Sequence, residues 1–440
     1  MAAKDLYSGS STGILYTDRR DFYIDPQVVK ELWTDVAPFT TVLSNKETRT
    51  TNDPLFKMFE HRNPWVKQEF QIDTDNPGSL AAGDSEADTA CTPKNITGLS
   101  STADSSWIGL ECEVWDSTKA TRKGTVLISS LSGSDVKYKN IGNAAVDVNA
   151  NDWMVVIGNA HGEGTTAPDA WADELQMVWN STQIFKTPLQ ITGTLLQAAL
   201  RGESSELARL RAQKNQEHKM QKERAFLFGT RVGGTNLGDN LSGSSNDDFG
   251  DGGVTDVANS AKVRTTYGML SAILDFGTSS GDDQSIYTID SSYAYSNFVD
   301  DMEKVFQYVP TSGVKRAFCG AGALGYWSKM AGSSGFAGGS GWTVNLGDMK
   351  RDALGFNYKV LETPHGILQL IPTPALRGPY NKYMLIVDDD NMFHAQYRSP
   401  MFQANILTDN AYDGVKDQYF SDEGIGISLI ESHNLFKITA

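Results

Sequence analysis

The stretch over residues 204–228 constrains this chain most. It follows Gly202 and stops at Gly229, so the sequence predicts one helix of roughly 25 residues, about 37 Å long. Its middle carries Lys214, Glu217, His218, Lys219, Lys222, Glu223 and Arg224, with only Ala212 and Met220 apolar. A helix that is polar nearly all round has no stripe to lay on a core; it either bridges between bodies or is held by ion pairs. The spacings Lys214/Glu217 and Lys219/Glu223 offer only a few tenths of a kcal/mol each. Bridging is therefore the expected arrangement, ahead of a solvated surface helix on a monomer.

Length and charge bound the rest. The chain has 440 residues, enough for about three domains or one heavily elaborated one. A net charge of -16 repels phosphates and anionic headgroups, so only a local basic patch could hold nucleic acid. No apolar run approaches the roughly 18 residues of a membrane span, and Met1 to Asp5 lacks the hydrophobic stretch of a signal peptide. A soluble, intracellular protein without a membrane partner is the expectation. Cys91, Cys112 and Cys319 are odd in number and widely spaced, which gives neither a disulfide framework nor a thiolate zinc site and fits a reducing compartment.

Several segments lack the apolar content for a core of their own. Asp25-Pro26 supplies an N-cap and a proline for a short helix bearing Val28, Val29, Leu32 and Trp33, which needs a surface to lie on. Residues 55–72 read as extended, with Trp65, Val66, Phe70 and Ile72 among Lys57, Glu60, Arg62, Lys67 and Glu69. Leu175, Met177, Trp179, Ile184 and Phe185 look like the return strand. Together they suggest a two-stranded projecting arm, which gains stability from another surface, such as a second subunit. Between them, the alternation Ile108, Leu110, Cys112, Val114 and the strand-like runs 125–131, 136–139 and 153–157 predict a small inserted β module at about 91–170. After the helix, residues 230–260 are a Gly/Asn/Asp/Ser loop, and the remainder alternates helices and strands before ending in strands at 356–362, 367–371, 383–387, 425–430 and 435–438.

This order of elements resembles the major capsid proteins of tailed bacteriophages, the Hong Kong 97 type of shell subunit. The stretches that carry the resemblance are Asn180-Ser-Thr-Gln-Ile-Phe-Lys-Thr-Pro188, Glu206-Leu-Ala and Lys222-Glu-Arg-Ala-Phe-Leu-Phe-Gly229. The resemblance implies an α+β capsid fold: an N-terminal arm over 1–50, an extended loop over 51–186 carrying the β module, and a spine helix with part of a peripheral domain over 187–262. An axial domain with its surrounding body follows over 263–412, and C-terminal peripheral strands over 413–440. It implies pentamers and hexamers of a shell, portal, scaffolding and cement proteins as partners, and packaged double-stranded DNA held without sequence-specific binding. The protein would act in the virion after assembly in the host bacterial cytoplasm, with no cofactor and no catalysis. Intersubunit contacts are expected at Trp33, Lys57, Arg62, Trp65, Lys67, Trp179, Lys214, Lys219, Lys222 and Arg224. Some relatives weld subunits by a Lys to Asn isopeptide bond; Lys57 and Lys67 are the natural candidates, although ordinary surface lysines account for both.

The competing reading is an enzyme. Gly320-Ala-Gly322-Ala-Leu-Gly325 is a G-x-G-x-x-G directly after the predicted strand 314–319, as a dinucleotide site requires. The following helix breaks at Gly332, the next strand candidate, Trp342 to Leu346, leads to Asp348 rather than to an acidic residue about 20 positions after the motif, and there is no second βαβ unit, so small residues letting a helix pack close to a strand are the preferred account. Gly9 to Gly13 matches G-x-S-x-G without the flanking strand and helix of a nucleophile elbow. The histidines contain no H-x-x-x-H pair, and the carboxylates at 388–390 and 247–251 lack calcium-loop spacing. Trp65, Trp107, Trp115, Trp153 and Trp179 suit local core or subunit anchors better than a carbohydrate platform.

Overall fold

The computed structural model describes residues 37–61, 68–73, 78–81, 90–169, 175–198, 205–231, 263–280, 284–308, 313–332, 350–351, 357–406 and 413–439. Trp33, Arg62, Trp65, Lys67, the helix expected after Asp25 and all but the first two residues of the loop expected over 230–260 lie outside them. Two compact units form, one from Met1–Met58 with Met177–Ala440 and the other from Phe59–Gln176.

The first unit carries six helices among its described residues: α1 (Pro38–Asn45), α2 (Gly193–Gln197), α3 (Glu206–Phe228), α4 (Met269–Phe276), α5 (Tyr295–Val305) and α6 (Ala321–Gly332). Its seven-stranded sheet runs in the order Ile286–Ile289, Asn434–Ile438, Tyr383–Val387, Val314–Cys319, Ile367–Pro372, Asn357–Glu362, Lys350–Arg351. Tyr383–Val387 is a continuous apolar run because both faces of the sheet are covered. Phe318, Leu385, Val387 and Leu435 join a core with Phe39 and Val42 of α1, Phe226 and Leu227 of α3 and Ile273 of α4. Their strand neighbours Ala317, Cys319, Met384, Ile386 and Phe436 point the other way, against Phe298 and Met302 of α5 and Trp327 of α6. The period of two along each strand thus sends alternate residues into two separate cores.

A second, four-stranded sheet runs Thr48–Thr50, Met392–Gln403, Gly414–Ile427, Gln183–Thr192. Gln183–Thr192 alternates buried and outward residues without a break: Phe185, Thr187, Leu189 and Ile191 are in, Lys186, Pro188, Gln190 and Thr192 out. It pairs antiparallel with Gly414–Ile427 in unbroken register, Gln183 opposite Glu423 through Thr192 opposite Gly414. The sequence reading assigned Ile184 and Phe185 to the arm's return strand; that role ends at Ser181, because Gln176–Ser181 pairs with Leu55–Glu60 and the chain then leaves for the four-stranded sheet.

Asn180, inside the stretch that carries the family resemblance, ties these parts together. Its amide donates to the Ile425 carbonyl (2.6 Å) and accepts from the backbone N–H groups of Ser181 (2.8 Å) and Tyr267 (2.9 Å), all in a buried position. A side-chain amide with both ends satisfied can replace sheet pairing where the chain changes direction.

The second unit is a six-stranded antiparallel sheet in the order Pro93–Thr97, Glu69–Ile72, Trp153–Asn159, Leu110–Trp115, Arg122–Ser132, Asp135–Asn140. Cys112, Val114, Val126, Ile128, Val136, Tyr138 and Met154 alternate inward around Trp107, whose ring lies 5.0 Å from that of Phe70. Phe70 and Ile72, which the local sequence gave no core, are fully buried here. Their apolar partners arrive from up to about 80 residues downstream, beyond the reach of a windowed pattern. Lys119 is held by Glu69 (2.8 Å) while lying over the Trp153 ring (4.0 Å).

Candidate assembly surface

The helix that the sequence left without a core is seated on the four-stranded sheet by matched polar groups. Ser205 caps α3, its hydroxyl accepting from the Ala208 N–H. Five positions along the helix then turn polar side chains onto the sheet or onto α1, Gln221 among them, its amide oxygen accepting from the Thr187 hydroxyl (3.0 Å). Arg211 pairs with the fully buried Asp417 (2.7 Å). His218 sits between the hydroxyls of Thr187 (3.0 Å) and Ser421 (3.1 Å). Lys222 pairs with Glu423 (3.2 Å), which His394 also approaches (3.4 Å). Glu223, also fully buried, accepts from the backbone N–H groups of Phe39 (3.1 Å) and Thr40 (2.6 Å) and from the Thr40 hydroxyl (2.7 Å), closing the start of α1. The helix is thus held by ion pairs and hydrogen bonds within its own chain, and the bridging arrangement expected from sequence is not needed to explain its polarity. The Lys219/Glu223 pair does not form, because α1 has claimed the carboxylate.

The electrostatics follow from this burial. Desolvation drives His218 down to about 4, with Lys222 pushing the same way, so the imidazole is neutral and suited to its two hydroxyl partners. Burial alone would raise Glu423, but the hydrogen bond from His394 and the charge of Lys222 outweigh it and hold the carboxyl below its ordinary value. Glu223 has no ion-pair partner among the described residues, and burial raises it despite its three donors.

Of the residues expected to touch other subunits, Lys57 faces outward on Leu55–Glu60 between the inward Phe56 and Met58. Trp179 is buried, with the Arg231 guanidinium 3.3 Å from its ring centre, and acts as an anchor inside the chain. Lys214 pairs along the helix with Glu217 (2.7 Å), and Lys222 is taken by Glu423. Lys219 and Arg224 are exposed on α3. Arg224 borders a groove of about 810 Å³ that sequence reasoning missed, formed with Met220 and Phe228 of α3 and with Ala375, Arg377 and Tyr380 of the loop after Ile367–Pro372. Tyr380 stacks on Phe228 at 4.6 Å. The run Pro372-Thr-Pro-Ala-Leu-Arg-Gly-Pro379 signals a turn, but nothing local says it meets the end of α3.

The dinucleotide motif is closed by the protein itself. Gly320 follows Val314–Cys319, and a Cβ there would run into the Asn381 carbonyl. Asn381 accepts from Gly322 N–H through its side chain (3.0 Å) and from Ala323 N–H through its backbone (3.1 Å), filling the helix start where a pyrophosphate would bind. Gly325 has nothing within 4 Å of its Cβ position. The motif packs a helix on a strand. Among the described residues no three His, Cys, Asp or Glu side chains are grouped to hold a metal ion, and no helix is long and apolar enough to cross a membrane.

Residues 34–425 of the chain match a known family model, that of the SU10 major capsid protein. The chain belongs to the SU10 major capsid protein family. It is thus a phage shell subunit with the α+β capsid fold of the Hong Kong 97 type, as the residues suggested, and the dinucleotide-enzyme alternative has no support. No curated protein matches it. Similar solved structures include the capsid of a native GTA particle (9% identity, TM-score 0.45, covering 98% of this chain and 100% of that one). Others are the capsid of cyanophage P-SCSP1u (8%, 0.35, 64% and 80%) and Mycobacterium phage Patience (13%, 0.37, 64% and 78%). The family match, not these distant likenesses, carries the assignment.

Proposed function

We propose that the chain is the repeating subunit of an icosahedral head that encloses the double-stranded DNA of a tailed phage, built from pentamers and hexamers. The observation that carries this reading is the family match over residues 34–425. Contacts between copies are assigned to the N-terminal arm (1–50) and to the extended loop (51–186) with its β module, where Lys57 and the 72% exposed Phe59 stand outward. Lys219 and Arg224 add cationic contacts for carboxylates of neighbouring copies. Portal, scaffolding and cement proteins would complete the head, assembly would take place in the host bacterial cytoplasm, and the net charge of -16 suits a container that must release its DNA. No residue is assigned a catalytic role.

The arm assignment is tested by excising Phe59–Gln176 and joining the flanking strands with a Gly-Ser turn. The remaining unit keeps both of its cores, so it should stay folded by circular dichroism yet close no shells, as read by sedimentation. Normal particles from this variant would overturn the assignment.

A further inference from the structure

The groove at the end of α3 combines two features that point to one kind of ligand. Its lining is apolar and aromatic at Met220, Phe228, Ala375 and Tyr380, and cationic at Arg224 and Arg377. Arg224 is exposed and has no ion-pair partner among the described residues, although the other Lys and Arg side chains of α3, except Lys219, are paired with carboxylates. The helix holds six Lys and Arg residues against three Glu, a local excess of +3 on a chain of net -16.

A nucleic-acid backbone would satisfy the guanidinium groups but leave the apolar lining uncovered; two guanidinium groups on a chain of net charge -16 hold phosphates weakly, and the Phe228 and Tyr380 rings are already stacked on each other. A peptide segment with an apolar side chain flanked by carboxylates satisfies both parts. A volume of about 810 Å³ takes a few side chains, within the usual range for a binding pocket. The partner that presents such segments in quantity is another copy of this chain, since a shell brings copies into contact and each carries 54 Asp and Glu residues against 38 Lys and Arg.

We propose that this groove receives an acid-flanked apolar segment of a neighbouring copy, with Arg224 and Arg377 gripping its carboxylates and the Phe228–Tyr380 stack covering its apolar side chain. The proposal rests on the shell-subunit reading and adds a specific contact to it. Guanidinium groups suit this task because they bind carboxylates through two parallel hydrogen bonds and also lie well on apolar surfaces.

The test places the photo-crosslinker p-benzoylphenylalanine at Met220 and assembles particles from an equal mixture of ¹⁴N and ¹⁵N chains. After irradiation, mass spectrometry should find crosslinks of mixed isotope composition, joining Met220 to a peptide in which Asp or Glu flanks an apolar residue. Adding Arg224→Glu and Arg377→Glu should cut the yield of that crosslink at least tenfold. Crosslinks only within one chain, crosslinks to a different protein, no crosslink, or a yield untouched by the charge reversal would each overturn the proposal. Sedimentation of the same sample separates the two levels: particles without the mixed crosslink refute the groove contact alone, whereas a chain that forms no particles even when co-expressed with a scaffolding protein refutes the shell reading along with it.

Discussion

Replacing Lys222 by Met tests how a polar helix is held on a sheet. In the folded chain Lys222 and Glu423 have side chains 12% and 1% exposed and meet at 3.2 Å. Removing the ammonium leaves Glu423 in a dry site with the His394 ring, at 3.4 Å, as the remaining partner among the described residues. A buried carboxylate that loses its partner costs about 3 to 5 kcal/mol, whereas exchanging both partners for apolar groups of similar size is often near neutral. His394 supplies part of the compensation, so about 3 kcal/mol is expected for Lys222→Met, and the pair Lys222→Met with Glu423→Leu should recover at least half of it. The assay is urea unfolding of the unassembled chain, followed by tryptophan fluorescence, for the two single variants and the double. A coupling of about 2 kcal/mol or more between the sites is the expected result. A loss below about 0.5 kcal/mol for Lys222→Met, with additive behaviour in the double, would refute the reasoning and return Lys222 to the role expected from sequence, a contact between subunits.

Other outcomes follow from buried groups. His218 and His433 are held neutral, at about 4 and about 3 against an ordinary 6.5, mainly by burial, so the unfolded chain takes up protons that the folded chain refuses. Their contribution is complete above pH 6.5 and is lost as pH falls towards 4, by about 3 kcal/mol from His218 alone at roughly 1.4 kcal/mol per pH unit; urea midpoints at pH 7 and pH 4.5 should show this slope, and His218→Gln should flatten it. The three thiols are fully buried, and burial pushes Cys112 up to about 12 and Cys319 higher still, so a thiol reagent should label none in the native chain and all three in urea. Gly320→Val should unfold or strongly destabilise the chain by driving a side chain into the Asn381 carbonyl, while Gly325→Ala, with open space at its Cβ, should leave the melting temperature unchanged or slightly raised; equal damage at both positions would contradict the packing account of the motif.

Much of the architecture was readable because its signals are local. The helix expected over 204–228 is Glu206–Phe228, with Ser205 and Gly229 at its ends, and the strands expected at 356–362, 367–371, 383–387 and 435–438 are Asn357–Glu362, Ile367–Pro372, Tyr383–Val387 and Asn434–Ile438. Met392–Gln403 was not expected, and the strand expected at 425–430 is the end of Gly414–Ile427, because the polar residues along both strands hide them from an apolar pattern. The partners of the helix were not readable. Lys222 and Glu423 are 201 residues apart, Glu223 meets Thr40 across 183, and no window shows that a carboxylate will be spent on capping another helix. The same limit hid the place of Phe70 and Ile72, whose neighbours come from later strands, and the groove, whose two walls are separated by about 150 residues of chain. Among the proposed contacts, lysines were legible as charges but not as paired or unpaired: Lys214 and Lys222 are engaged within the chain, while Lys57, Lys219 and Arg224 remain exposed.

The most direct test of the central claim is negative-stain electron microscopy of the purified, concentrated chain, alone and co-expressed with a scaffolding protein. Closed shells, or rings of five or six subunits, are the expected result. Dispersed particles of about 48 kDa under both conditions would contradict it.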